Sequence, residues 1–236
     1  MTRKPGWRLA CLVLLLIGAG CATTTTAPPP SSPPMQTPPD APDAVAVRDF
    51  LVRDEDPEEG LGGYGYLVFT ERPGPDGGSR HLAACEAFKA TLEPAGSLPD
   101  EVALSQRMVT FWLLDGSLDA SEARRSSCSE LVEAYDYATA DVMAGSVGEA
   151  GARGPLLFAW TAPFDPAGGM GEALVFDLSH FSDQDVRRAL RIWKEQVSRK
   201  PEHWEDGFRL VKFRETCRSL LERYGDSILA ILQQGG

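Results

Sequence analysis

The sequence predicts an α/β fold in which a mixed four-stranded sheet is layered with about four helices, in the order β-α-β-α-β-β-α-α. Three observations lead to this prediction. Four apolar runs have the length of strands, residues at helical spacing fill the segments between most of them, and one connection is too short for a helical crossover.

The four predicted strands are nearly continuous apolar runs, which is typical of strands covered on both faces of a sheet. They cover residues 64–70, 108–114, 156–161 and 173–178. Helical crossovers predict that the first three are parallel, with right-handed connections. The short Pro/Gly-rich loop 163–171 predicts that the fourth strand is an antiparallel edge partner of the third.

The first two helices are predicted from their spacing and their end signals. The first covers residues 79–93 and ends before Pro94. The second begins at a capping box, in which Ser127 and Glu130 satisfy free backbone amides. We expect it to continue as one helix whose apolar stripe contains Cys128, Leu131, Val132, Tyr135, Val142 and Met143.

The last two helices close the predicted order. Ser182 and Asp185 cap the third, which ends at Pro201 and faces inward with Val186, Leu190, Trp193 and Val197. The fourth runs from near Glu205 to Leu232. Its predicted apolar side chains are Phe208, Val211, Cys217, Leu220, Leu221, Tyr224, Ile228 and Leu232.

The first twenty residues have the order of a secretory signal. Arg3, Lys4 and Arg8 precede the apolar run 9–17, and small residues follow it. The apolar run with its small tail has about 12 residues, and a membrane-spanning helix needs about 20. A permanent transmembrane helix is therefore not expected here.

The segment Leu16-Ile17-Gly18-Ala19-Gly20-Cys21 resembles the lipobox of bacterial lipoproteins. The resemblance covers the signal alone and implies cleavage before Cys21, whose thiol then carries acyl chains such as palmitate. Two or three such chains anchor a protein stably. Ala22 follows the cysteine, which by the same resemblance favours sorting to the outer membrane, facing the periplasm or the cell surface.

The predicted organisation has three parts. Residues 1–20 are the signal peptide, residues 21–59 are the lipidated cysteine with a disordered Pro/Thr-rich tether and an acidic lead-in, and residues 60–236 are a single α/β domain. A proline-rich tether over residues 22–43 favours an extended conformation, which could hold the domain about 65 Å from the bilayer. A proline-rich ligand segment for another protein is the alternative interpretation.

The charge of the chain restricts its partners. The formal net charge is −11, and removal of the three basic residues of the signal makes it −14. Nucleic-acid binding needs a basic surface, so no nucleic-acid partner is expected. Anionic headgroups repel such a chain, so the lipid on Cys21 is the expected membrane contact.

Three cysteines of the domain lie on predicted apolar stripes. An oxidising compartment allows one disulfide, for which Cys85–Cys128 is the favoured pair because consecutive crossover helices can lie side by side. The odd Cys217 is then either free or paired between chains. The alternative is three buried thiols that act as small hydrophobic side chains.

A candidate binding site follows from the predicted topology. In open α/β sheets, ligands bind in the crevice outside the carboxyl ends of the parallel strands. Glu71 and Arg72 follow the first predicted strand, Asp115 follows the second and Asp165 follows the third. These residues predict a site for a cationic or hydroxylated ligand, and the alternative is that they are ordinary solvated loop residues.

Few residues are candidates for catalysis. Asp177 and His180 follow the fourth predicted strand, without the sharp turn that presents a nucleophile in hydrolases. His81 and Cys85 lie four residues apart and share a helix face, as a base and nucleophile or two metal ligands would. No third ligand or catalytic group accompanies them, and no metal site is predicted.

A glycine motif spans residues 60–65 and matches G-x-G-x-x-G. The dinucleotide-binding form of this motif lies between a strand and a following helix. Here a strand follows the motif, so a turn is expected and no cofactor is predicted.

Two functions are compared for this chain, and a small-ligand sensor is a more distant third. The first is a non-catalytic binding or assembly module of the cell envelope, with an exposed patch built from Trp204, Phe208 and the last helix, that binds a protein or a wall component. The second is an extracytoplasmic hydrolase that acts on peptide or glycan. The hydrolase requires His81, Asp177 or His180 to meet a nucleophile or a second carboxylate in one cleft.

Overall fold

The computed structural model describes residues 44–74, 78–165, 173–199, 209–221 and 229–232, and these form an α/β fold built on one mixed sheet. The strands are β1 (Val45–Val52), β2 (Gly63–Val68), β3 (Glu93–Pro94), β4 (Arg107–Leu114), β5 (Leu156–Trp160), β6 (Ala173–Asp177) and β7 (Leu229–Leu232). The helices are α1 (Gly78–Thr91), α2 (Ala120–Arg125), α3 (Cys128–Glu133), α4 (Tyr137–Ser146), α5 (Asp183–Arg199) and α6 (Leu210–Leu221). The α/β class and the mixed sheet are thus confirmed, while four strands and four helices were too few.

The sheet has a parallel half and an antiparallel half. Its order is β3-β1-β4-β2-β5-β6-β7, in which the pairs β1–β3, β1–β4 and β2–β4 are parallel. The pairs β2–β5, β5–β6 and β6–β7 are antiparallel. The antiparallel pairing of β5 with β6 agrees with the sequence. Two expectations are wrong: β6 is not an edge strand, because β7 pairs with it, and β5 is not parallel to β2 and β4.

The connection before β5 differs from the single long helix that was expected. One long helix was predicted after Ser127, but the chain forms α3 and α4, separated at Tyr135 and Asp136. The Asp136 side chain accepts hydrogen bonds from the backbone N–H groups of Ala138 and Thr139 and so caps α4. The chain from β4 to β5 returns to the edge of the sheet that it left, so β5 starts where β2 ends, with Val68 opposite Leu156, and runs antiparallel to β2.

Strand β1 lies in a segment that was assigned to the tether and lead-in. It pairs with β4 along its full length, from Val45 opposite Arg107 to Val52 opposite Leu114. The folded domain therefore begins before residue 60. Polar Arg48 and Asp49 interrupt the apolar pattern of this strand, which explains why the segment did not read as a buried strand.

The C-terminal region differs from the single helix expected between residues 205 and 232. Helix α6 ends at Leu221, and β7 extends the sheet by pairing with β6. Val211, expected inside, is 43% exposed, and Phe213 is buried instead. Val142, which was expected on the apolar stripe of the second predicted helix, is also exposed. Trp204, Phe208, Tyr224 and Ile228 lie outside the described residues.

Other helix predictions are confirmed. Helix α1 ends before Pro94, and Ser127 and Glu130 form the predicted capping box. Ser182 accepts a hydrogen bond from the backbone N–H of Asp185 at the start of α5. The four predicted inward residues of α5 are all buried, namely Val186, Leu190, Trp193 and Val197.

Trp193 marks the face of the sheet on which α5 and α6 pack. Its indole Nε1 donates to Thr110 Oγ1 of β4 at 3.1 Å, and its ring contacts Phe176 of β6 and Phe213 of α6. Trp112, two residues after Thr110, shares this face and donates to the backbone of α3. Among the helices that the structure describes, none is long and apolar enough to cross a membrane.

Candidate groove at the carboxyl edge of the sheet

One edge of the sheet collects the carboxyl ends of four strands. β1, β2 and β4 run in the same direction, and β6 runs with them because two antiparallel pairings separate it from β2. The predicted residues Glu71, Arg72 and Asp115 follow strands that end at this edge. Asp177 ends β6 at the same edge, with Ser179 and His180 in the following turn.

Asp165 does not belong to this set. It follows β5, which runs in the opposite direction, so its loop leaves the sheet at the opposite edge. There the backbone N–H of Phe164 donates to the Tyr66 hydroxyl, and the Phe164 ring contacts Trp160. The prediction that Asp165 joins the carboxyl-edge site is therefore wrong, because the direction of β5 was wrong.

A groove lies between the loop after β2 and helices α1, α3 and α4. Its volume is about 390 Å³, within the range of small-ligand sites. Its lining residues are Arg72, Pro73, Gly74, Gly78, Leu82, Ser129, Val132, Glu133 and Tyr137. We call it the first groove. Apolar groups of Leu82 and Val132 line it together with one cationic side chain and one acidic side chain.

Arg72 and Tyr137 form a cation–π pair in the first groove. The guanidinium carbon of Arg72 lies 5.0 Å from the centre of the Tyr137 ring. Tyr137 is buried, and its hydroxyl donates to the backbone oxygen of Val132 at 3.2 Å. Burial raises the pKa of Tyr137 to about 12, although the charge of Arg72 acts in the opposite direction. Within the described part of the chain, no carboxylate forms an ion pair with Arg72.

A second groove adjoins the first across the same loop. Its volume is about 320 Å³, and its lining residues are Glu71, Arg72, Pro73, Gly74, Ser79, Arg80, His81, Arg153 and Gly154. Arg72, Pro73 and Gly74 are common to both grooves. Glu71 and Arg153 approach to 3.9 Å, but both side chains are largely exposed, so this ion pair contributes little stability.

The catalytic candidates do not converge in either groove. His81 is buried, its Nε2 lies 2.9 Å from the backbone oxygen of Glu71, and its ring stacks on Phe69. Asp177 Oδ1 accepts from the backbone N–H of Ser179 at 2.8 Å. His180 is exposed, and neither Asp177 nor His180 lines the two grooves described above.

A disulfide joins two walls of the first groove. Cys85 of α1 and Cys128 of α3 are bonded, with their Cα atoms 5.6 Å apart, and this is the pairing that the sequence favoured. Cys85 is therefore not available as the partner of His81 in catalysis or metal binding. Cys217 is a free, buried thiol. Its burial raises its pKa far above the ordinary value.

The glycine motif 60–65 has a structural role. Gly60 has a φ of +80° in the turn before β2, a conformation that favours glycine. A Cβ atom on Gly65 would lie 2.8 Å from Thr110 Oγ1 and 3.1 Å from the Trp193 ring. Close packing against α5 thus explains Gly65, in agreement with the prediction that this motif is a turn before a strand.

Sequence reasoning did not find the residues that complete the first groove. Tyr137, Leu82, Ser129 and Glu133 come from three helices, and no local pattern links them to Arg72. The sequence feature that points toward this groove is the capping box at Ser127, which marks the start of α3, one wall of the groove. Among the described residues, no three His, Cys, Asp or Glu side chains are grouped as metal ligands.

Comparison with known proteins adds no relative. No family model matches this chain, and neither a curated protein nor a solved structure is significantly similar to it.

Proposed function

We propose that this chain is a non-catalytic binding module of the cell envelope, anchored by lipid on Cys21, and that its ligand binds in the first groove. The observation that carries the proposal is the Arg72–Tyr137 pair, which presents a guanidinium that has no carboxylate partner among the described residues, beside apolar side chains of the groove. An apolar pocket with a few polar groups is the usual form of a binding site.

The surroundings of Arg72 support a role in binding. Buried or paired arginines stabilise a fold, as Arg53 does with Asp136, but the Arg72 side chain is exposed and contacts the Tyr137 ring without an ion-pair partner among the described residues. The cation–π contact with Tyr137 favours one position of the guanidinium, so less conformational entropy is lost when a ligand binds. The disulfide between α1 and α3 restrains two walls of the groove in the same way.

The proposed anchor fits the charge of the chain. An acidic domain is repelled by anionic headgroups, so membrane attachment depends on the acyl chains of Cys21. Replacement of Cys21 by Ser should move the protein from the membrane fraction to the soluble fraction. Sedimentation of the Cys21→Ser variant with membranes would contradict the lipid anchor.

In-cell photocrosslinking tests the groove. A photoreactive benzoylphenylalanine at Ser129, which is exposed and lines the first groove, should capture the ligand in intact cells. The matched control is the same residue at Ser105, which is exposed at the opposite edge, before β4. We expect an adduct from position 129 that is strongly reduced by Arg72→Gln, and no such dependence at position 105.

The outcome separates binding in the groove from chance proximity. An adduct at position 129 that is insensitive to Arg72→Gln contradicts the assignment of the ligand to this groove. Equal adducts from positions 129 and 105 contradict it as well. Circular dichroism of the Arg72→Gln variant should match the unmodified chain, because Arg72 forms no ion pair within the described residues.

A further inference from the structure

We infer that the ligand of the first groove is a peptide with a free C-terminal carboxylate next to an apolar side chain. This inference rests on the proposed function, because it assumes that the groove is a binding site. It assigns each part of such a ligand to groups that line the groove, with the carboxylate on Arg72 and the apolar side chain on Leu82 and Val132.

The carboxylate is assigned from the geometry of Arg72. The guanidinium carbon of Arg72 lies over the Tyr137 ring, 5.0 Å from its centre, and the Arg72 side chain is exposed, so its N–H groups are accessible to an acceptor. Guanidinium N–H donors match the two oxygens of a carboxylate in a bidentate arrangement. A carboxylate would therefore supply the ion pair that Arg72 does not have among the described residues.

Glu133 favours a monoanion over a phosphate monoester. It lines the same groove as Arg72, and the described residues include no ion-pair partner for it. A phosphate monoester carries about −1.5 to −2 charge at neutral pH, so it is repelled by Glu133 more strongly than a carboxylate is. Because the lining carries one cation and one carboxylate, a monoanion leaves less uncompensated negative charge in the groove than a dianion does.

The apolar side chain is assigned from the floor of the groove. Leu82 of α1 and Val132 of α3 both line a space of about 390 Å³, which is large enough for one residue and part of a second. Burial of a Val, Leu or Phe side chain is favourable by about 1.5–3 kcal/mol when it is complete. An apolar last residue of a peptide places this side chain directly beside its carboxylate.

The peptide backbone is assigned from the wall that α3 provides. Ser129 and Glu133 lie four residues apart on α3, so they share a helix face. The Ser129 hydroxyl and the Glu133 carboxylate can accept hydrogen bonds from the N–H groups of an extended chain. The second groove continues beyond Arg72, Pro73 and Gly74, so the surface does not end at the carboxylate position.

Fluorescence anisotropy with the full-length chain purified in detergent tests this inference. The probes are fluorescein-labelled Gly-Ser-Ala-Leu with a free carboxylate and the same peptide with a C-terminal amide. We expect the acid to bind at least about tenfold more tightly than the amide, because the amide cannot pair with Arg72. A third peptide with a D-configured last residue separates protein C-termini from wall peptides that end in D-amino acids.

Variants test whether the tighter binding of the acid peptide depends on the first groove. Arg72→Gln should remove the difference between acid and amide, and Arg72→Lys should retain part of it, because lysine keeps the charge but loses the bidentate geometry. The matched control is Arg124→Gln, which removes an exposed arginine of α2 that pairs with Asp49 of β1. This control should bind both peptides like the unmodified chain.

The results distinguish the two proposals. Equal binding of acid and amide, binding of neither, or stronger competition by inorganic phosphate than by acetate overturns the peptide carboxylate as ligand. If the in-cell adduct at position 129 still depends on Arg72, the groove remains a binding site for another ligand. If that adduct is absent as well, both proposals are overturned.

Discussion

Arg53 and Asp136 connect the end of β1 to the start of α4 through two hydrogen bonds. Arg53 Nε donates to Asp136 Oδ2 at 2.9 Å, and Nη2 donates to Oδ1 at 2.5 Å. The Asp136 side chain is 1% exposed, whereas that of Arg53 is 43% exposed. The same carboxylate caps α4, so one buried group holds two elements that are distant in sequence.

Replacement of Asp136 should therefore destabilise the domain in two measurable steps. Asp136→Asn keeps the cap but loses the charge that pairs with Arg53, and we expect a loss of about 2 kcal/mol because Arg53 can still reach water. Asp136→Ala also loses the cap, for a total of about 3 kcal/mol. Urea denaturation measures both. The control Asp141→Asn, at an exposed site of α4, should change stability by less than about 0.5 kcal/mol.

The ion pair also predicts loss of stability in acid. Burial raises the pKa of Asp136, but hydrogen bonds from Arg53 and Thr139 outweigh burial and leave the pKa below its ordinary value of 3.8. A carboxylate with a lowered pKa in the folded state stabilises the fold above its ordinary pKa, and this stabilisation is lost as the pH falls through the lowered value. Urea midpoints between about pH 6 and pH 2.5 should therefore fall with pH.

The variant Asp136→Asn serves as the reference for this pH dependence. It has no carboxylate at position 136, so its urea midpoint should fall less steeply over the same range. Glu130 contributes in the same direction, since hydrogen bonds within the Ser127 capping box lower its pKa. Some slope should thus remain in the variant. Identical slopes for the two proteins would show that Asp136 is not ionised differently in the folded and unfolded states.

The Cys85–Cys128 disulfide should stabilise the domain by limiting its unfolded state. The two cysteines are separated by 43 residues in sequence. A closed loop of this length corresponds to about 4 kcal/mol in the chain-entropy model. Urea denaturation of the double variant Cys85→Ala/Cys128→Ala, with Cys217→Ala as control, measures this contribution. A double variant as stable as the control would show that the bond does not restrict the unfolded chain.

Thiol counting provides an independent measurement of the same pairing. In the unfolded, unreduced mature chain, a polyethylene-glycol maleimide should add once, at Cys217, if Cys21 is acylated. After reduction it should add three times. In the native state we expect no rapid addition, because Cys217 is buried and its pKa is raised. Three additions without reduction would contradict the disulfide.

The parts of the fold that were predictable have local causes. Helices α1 and α5 combine helical spacing with clear stop or cap signals, and both were predicted near their observed bounds. Strand β1 was not predicted, because Arg48 and Asp49 break its apolar pattern and its stability comes from pairing with β4. The break between α3 and α4 has a local component, the Asp136 cap of α4, but the pairing of Asp136 with Arg53, 83 residues away, is not visible in any local pattern.

The candidate site, like the fold, was predictable only in part. The rule for carboxyl ends of parallel strands identified Arg72, because the direction of β2 was correct. It misplaced Asp165, because the direction of β5 was reversed. Tyr137 was not identified, since its pairing with Arg72 arises only after α4 packs beside the loop that follows β2.

Gly65 is the position where a single methyl group should most clearly disturb the packing of α5. Alanine is ordinarily better tolerated than glycine within a strand, by roughly 0.5–1 kcal/mol. Here a Cβ atom would meet Thr110 Oγ1 at 2.8 Å and the Trp193 ring at 3.1 Å, so one of these buried groups must move. We expect Gly65→Ala to lose about 2–3 kcal/mol in urea denaturation. The control Gly145→Ala, at an exposed site in α4 with no atom near the added methyl, should gain about 0.5 kcal/mol. A gain at both positions would show that Trp193 and Thr110 do not pack tightly against β2.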